Sequence, residues 1–193
     1  MPDTSFSLLE RLQLRPDPQS WQRLVQLYQP WLATFLRVHG LPAGDADDVI
    51  QEAMAVLVAE LPHFRHDLRP GAFRRWLRTI TLNRLRAHRR ARRRERHVEP
   101  ATLDRLVEQL ESPESELSRR WDEDHNRHVV NRLLEMLEGE FEPRTWQAFR
   151  LVTVHGRSTA EAAADLGLSP VAVRIAKSRV LTRLRQEASG FVD

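Results

Sequence analysis

Apolar residues recur at three- and four-residue steps along almost the whole of this chain, and that spacing leaves little room for anything but helices. Leu24, Leu27, Tyr28, Trp31, Leu32, Phe35 and Leu36 make one such stripe. Val49, Ile50, Ala53, Met54, Leu57 and Leu61 make a second, and Phe73, Trp76, Leu77, Ile80 and Leu85 a third. Alternating apolar and polar runs bounded by turn residues, the mark of strands, are not evident, and only 7 of 193 residues are glycine. The expected fold class is all-α, as two small helical domains.

Breakers divide the pattern. A short helix is predicted from about Ser5 to Leu14, stopped by Arg15-Pro16-Asp17-Pro18; a longer one follows, capped by Ser20 and kinked or divided at Pro30. After Leu41-Pro42-Ala43-Gly44, Asp45 is the expected cap of a helix that ends before Pro62. A loop runs from His63 to Gly71, and the next helix begins near Ala72. Residues 1–96 thus form the first expected domain. Residues 97–117, with Glu99, Asp104, Glu108, Glu111, Glu114 and Glu116 against the single Arg105, are expected to be an acidic linker with some helical tendency. Residues 118–193 form the second domain, with a helix from about Trp121 to Leu137, a turn at Gly139 and Pro143 in the first turn of another helix.

The clearest local signal lies in that second part. Ser158 or Thr159 can cap a short helix through Leu166, Gly167 supplies a left-handed turn position, and Ser169-Pro170 starts a further helix. Helix, tight glycine turn, helix is the helix-turn-helix order. Val173, Ala176, Val180 and Leu184 form the inward seam. This leaves Ser169, Val171, Ala172, Arg174, Ile175, Lys177, Ser178 and Arg179 as candidates for duplex DNA contact, Arg174 for base edges and Lys177, Arg179, Arg183 and Arg185 for phosphates. An ordinary helical hairpin with a solvated basic face fits the same pattern.

Charge is uneven. The net is only +3, yet eleven arginines crowd residues 74–96, where the only acid is Glu95. A helix combining Trp76, Asn83 and arginines is suited to phosphate neutralisation and to holding unstacked bases, and the loop with His63, Phe64, Arg65 and His66 is a candidate pocket for one. Core packing of Phe73 and Trp76 is the competing reading. With no cysteine there is neither disulfide nor thiolate zinc site, and no phosphate loop or metal-ligand spacing occurs; His125 and His128 lack partners in such a spacing. No cofactor, metal or catalytic residue is expected. Nowhere do about 18 apolar residues run together, and the amino terminus has no leader pattern, so a cytoplasmic protein without membrane insertion is expected.

These segments resemble the sigma-70 family of bacterial RNA polymerase sigma factors, of the short extracytoplasmic-function type. Asp45-Ala46-Asp47-Asp48-Val49-Ile50-Gln51-Glu52 resembles the acidic helix of sigma region two, and Phe73 to Asn83 that region's aromatic helix with its basic end. Gly167-Leu168-Ser169 and Val173 to Arg179 resemble the recognition helix of region four. The resemblance implies a binding subunit, not an enzyme. It would dock on core RNA polymerase, at the clamp helices of the largest subunit through Asp47, Asp48, Gln51 and Glu52, and at the flap of the second-largest. Phe64, Trp76, Asn83 and Arg84 would meet the minus-ten element, and the second domain the minus-thirty-five element. The linker would pass toward the active-site cleft, where its acids could mimic nucleic acid. An anti-sigma factor and a nucleoid location are further implications. Two departures stand out: the loop between Leu61 and Phe73 is longer than is usual in the family, and Lys177 replaces a commonly apolar seam residue. A stand-alone helix-turn-helix regulator, and a metal-dependent nucleic-acid enzyme using Asp47, Asp48 and Glu52, are the competing classes.

Overall fold

The computed structural model describes residues 7–65, 71–94 and 101–192, and among them it has helices and no strand. Two compact units emerge: residues 6–129 with 189–193, and residues 130–188.

In the first unit, α1 (Leu8–Leu14) starts with a reciprocal cap. The Ser7 hydroxyl accepts from the Glu10 amide at 3.2 Å while the Glu10 carboxylate accepts from the Ser7 amide at 2.7 Å, satisfying two otherwise unpaired helix-end donors. For α2 (Pro18–Val38) the cap is Asp17, not Ser20. Pro18 takes the first helical position, so the preceding residue is the one whose side chain reaches the free amides. Asp17 accepts from the Ser20 hydroxyl at 2.5 Å and the Ser20 amide at 2.9 Å, and these bonds hold its carboxyl below the ordinary carboxylate range. Nor does Pro30 divide α2, which stays helical through Val38; its stripe of Leu24, Leu27, Tyr28, Trp31, Leu32, Phe35 and Leu36 is buried on one side.

Similarly, α3 (Ala43–Glu60) begins two residues before the expected cap, behind an extended Pro42 and with no side-chain cap bond. Asp45 therefore sits within the first turn, where its carboxylate meets Arg92 at 2.7 Å and lies 3.5 Å from His88. The partners come from α4 (Ala72–Arg94), which buries Phe73, Leu77, Ile80 and Leu85.

The acidic stretch is not simply a tether. Residues 101–111 form α5 (Ala101–Glu111), which packs on α4 and buries Leu103, Leu106, Val107 and Leu110. Burial of each such side chain is worth roughly 1.5–3 kcal/mol, a gain that a solvated linker forgoes. Its acids follow its apolar face onto α4: Asp104 meets Arg89 at 3.2 Å and Glu111 meets Arg86 at 2.8 Å.

Next, α6 (Glu116–Leu137) starts five residues before Trp121 and is shared between the units, which divide at residues 129 and 130 and not ahead of residue 118. Its first half belongs to the core of the first unit. Trp121 is fully buried edge-on against Trp31 and Phe35, at centroid distances of 4.6 and 4.8 Å. His125 stacks on Tyr28 with its Nε2 3.2 Å from the phenol oxygen, and His128 Nε2 bonds the Leu27 carbonyl at 2.6 Å. These histidines are packing residues; among the described residues no His, Asp or Glu cluster suits a metal. Residues 189–192 close the same core, with Phe191 buried 4.8 Å from the Phe73 ring and 5.9 Å from Tyr28. Gly190 makes that turn possible: its φ is +86°, and a Cβ there would stand 2.6 Å from Leu9 Cδ2.

The second unit contains the end of α6, α7 (Pro143–Thr153), α8 (Thr159–Leu166) and α9 (Pro170–Ala188). Trp146, Phe149 and Val180 form one buried cluster, and Ala148, Ala162, Ala163, Val173 and Ala176 another. The small alanines let α7, α8 and α9 approach closely. No helix among the described residues is long and apolar enough to cross a membrane.

Candidate nucleic-acid interface

The helix-turn-helix is built by local chemistry. Ser158 caps α8 in a reciprocal box: its hydroxyl accepts from the Glu161 amide at 3.2 Å, and Glu161 accepts from the Ser158 amide at 2.8 Å. These bonds hold the Glu161 carboxyl below its usual range. The bond from the Ser158 amide to that carboxylate therefore contributes most above the ordinary glutamate range and is lost as pH falls through the lowered value. Ser158→Ala is expected to cost about 1 kcal/mol in urea denaturation at neutral pH, because the Glu161 amide loses its acceptor while the bond from the backbone amide at position 158 to the Glu161 carboxylate is kept. Gly167 ends α8 at φ +62°, and the Ser169 hydroxyl accepts from the Ala172 amide at 3.1 Å to start α9.

On α9 the seam residues Val173, Ala176, Val180 and Leu184 are all buried. Ser169, Val171, Arg174, Ile175, Ser178 and Arg179 are exposed, while Ala172 and Lys177 are partly buried. Lys177 therefore stands at the border of the seam, between the buried line and the exposed face. Arg183 does not fit the phosphate role expected of it. Its side chain is only 13% exposed, with Nε 2.8 Å from Glu140 and Nη2 2.6 Å from Glu187. Burial works against its charge, but the bonds to Glu140 and Glu187 outweigh that and raise its pKa further. It fastens α9 to the turn after α6.

In the first unit, Phe64 and Trp76 come together as a stacked pair, 4.5 Å apart and 24° from parallel, with Phe73 edge-on to both. The Phe64 carbonyl accepts from Gln13 Nε2 at 2.6 Å, which ties the loop down. Of the other loop residues, His63 and Arg65 are among the described residues and His66 lies outside them. Asn83 is exposed seven residues beyond Trp76, about 10 Å further along the same side of α4. Arg84 is turned from that line toward α3, its Nη1 3.9 Å from Glu52.

Asn83 follows its exposed neighbours Arg75 and Thr79 at four-residue steps, a spacing that the sequence itself carries. The arginine run is also less open than its composition implies. Arg74 and Arg78 lie 3.0 and 3.9 Å from Asp122, Arg86 and Arg89 meet α5, and Arg92 meets Asp45.

The acidic helix presents two faces. Asp47 and Gln51 join Ile50 and Met54 of α3 with Pro30, Ala33 and Arg37 of α2 around a groove of about 540 Å³. Asp47 is bonded across it by Arg37 at 2.6 Å. Asp48 and Glu52 are exposed beside the groove, Glu52 on the side facing Arg84. Asp47, Asp48 and Glu52, the carboxylates of the metal-enzyme reading, form no cluster suited to a metal ion among the described residues.

Comparison with known proteins bears on these surfaces together. The family model of Sigma-70 region 2 matches residues 24–95, a stretch that includes the groove, the Phe64–Trp76 stack and Asn83. The RNA polymerase sigma factor NccH of Alcaligenes xylosoxydans xylosoxydans is 32% identical over 187 residues, covering 93% of this chain and 94% of that protein. Such a match reaches through both units, and from it and the region 2 match the chain belongs to the sigma-70 family of RNA polymerase sigma factors, of the extracytoplasmic-function type.

Proposed function

We propose that the first unit docks on the clamp helices of the polymerase largest subunit and opens and reads the minus-ten element, while the second reads the minus-thirty-five element as duplex. The family role, a non-catalytic subunit for transcription initiation, follows from membership; the division between surfaces is the proposal. The observation that carries it is the pairing of a groove flanked by exposed acids on α3 with a helix-turn-helix whose outward helix bears cations. A groove with an apolar floor of Ile50 and Met54 and polar walls of Asp47, Gln51 and Arg37 suits a helical partner. Asp48 and Glu52 add negative charge at its side, where it would select a basic partner surface.

For the minus-ten role, Phe64 and Trp76 supply π-faces and Asn83 supplies a side-chain amide for a base edge, while Arg84 supplies a cation to the α3 side of that line. In α5, Asp104 and Glu111 sit on Arg89 and Arg86 as phosphates would. The segment thereby lowers non-specific attraction along that part of α4. The protein would act in the cytoplasm, on nucleoid DNA.

The test is in vitro transcription with purified core polymerase and a promoter library. Added chain is expected to bind core and create new start sites. Failure of both would refute the proposal, and tight sequence-specific binding without core would favour a stand-alone regulator. For Asn83→Ala, upstream duplex binding should persist while strand opening, followed by permanganate reactivity of unpaired thymines, declines. Normal opening would remove Asn83 from the minus-ten surface.

A further inference from the structure

We propose that Val171 and Ile175 are specificity residues that read thymine methyl groups in the major groove, an inference that rests on the reading of α9 as the duplex-binding helix. Both are large apolar side chains left open to solvent, Val171 53% and Ile175 54% exposed. Single exposed apolar residues are ordinary. Among the described residues the other large ones, Leu14 on α1, Val38 on α2, Val58 on α3 and Val154 just past α7, lie singly. Val171 and Ile175 differ in being one helical turn apart on the same face.

Their position on that face gives the partner. Opposite the buried line of Val173, Ala176, Val180 and Leu184, the exposed stripe runs Val171, Ile175, Ser178, Thr182. Arg174 flanks it on one side and Arg179 on the other. Among the described residues, no carboxylate lies within ion-pair distance of Arg174, Lys177 or Arg179, in contrast to Arg183. A centre that is apolar, with cations left uncompensated at its margins, is complementary to a groove whose floor offers methyl groups and whose walls are phosphate. In B-DNA the major groove admits one helix, and thymine alone among the four bases presents a C5-methyl there. Val171 lies in the first turn of α9, the part of an inserted recognition helix that meets base edges, and Ile175 one turn later. Neither side chain has a hydrogen-bonding group, so what they can distinguish is the presence of a methyl.

The experiment uses the full chain with core polymerase and an upstream duplex selected from a randomised library. Each thymidine of the bound segment is replaced in turn by deoxyuridine, which pairs identically and lacks only the C5-methyl. One or two positions are expected to lose about four-fold in affinity, the equivalent of the ~0.8 kcal/mol of one buried carbon group. Val171→Ala or Ile175→Ala should bind the thymidine duplex about four-fold more weakly and become indifferent to the methyl at one position. Because both side chains are exposed, the melting temperature of each variant should match the parent.

A flat deoxyuridine scan overturns the inference, as does a selected segment without thymine, or a methyl effect that survives in both alanine variants. If the scan is flat while Arg174→Ala still alters preference at a base pair, only the methyl reading fails. If Arg174→Ala is also without effect, the duplex-binding role of α9 fails with it.

Discussion

Trp121→Ala is expected to destabilise the unit formed by residues 6–129 by about 3–5 kcal/mol, the range for removing a large aromatic side chain from a packed core. The indole is fully buried and wedged edge-on between Trp31 and Phe35, so its loss leaves a cavity that two other rings line. Edge-to-face pairs of this kind add about 0.5–1.5 kcal/mol beyond the area they bury. Differential scanning calorimetry and urea titration followed by far-ultraviolet circular dichroism would measure the effect. Trp121→Phe should recover a large part of it, since a ring of similar direction still fills the slot. Were the first half of α6 a tether or part of the other unit alone, the melting of residues 6–129 would not move, and the division at residues 129 and 130 would be refuted.

Arg174→Ala is the second large effect. Arg174 is exposed near the start of α9, and no acid among the described residues neutralises it. If it bonds a base edge, typically guanine O6 and N7, the substitution should cost about 1–3 kcal/mol and relax selection at one upstream base pair. Selection from a randomised duplex library, parent against variant, reads both quantities. A loss spread evenly over all sequences, with a shallower salt dependence, would place Arg174 on phosphate instead. Arg183 offers an internal comparison. Tied to Glu140 and Glu187, it should leave the salt dependence of binding unchanged when replaced while lowering stability, whereas a contact to phosphate would alter the slope.

How much of this was legible in the residues depended on the range of the interactions involved. The helix-turn-helix was readable to within a residue because each of its signals acts within one turn: Ser158 on Glu161, Gly167 on its own φ, Ser169 on Ala172. The seam of α9 follows from spacing alone. Caps were less secure where two candidates lay close together. Asp17 displaced Ser20 because Pro18 set the first helical position, and Asp45 was drawn to Arg92, a residue 47 positions away.

What the sequence by itself determined is the all-helical class, the breakers between helices, the turn-helix geometry and the residues that face outward on α9, all consequences of periodicity and of bonds spanning three or four residues. Only the tertiary structure decided that the acidic stretch forms α5 and covers Arg86 and Arg89, that α6 serves two cores, and that Phe191 completes the first of them. Composition marked residues 97–117 as charged and interrupted by proline. Whether Leu103, Leu106, Val107 and Leu110 find a surface depends on which face of α4 is uncovered once the chain has collapsed, and no local pattern carries that information.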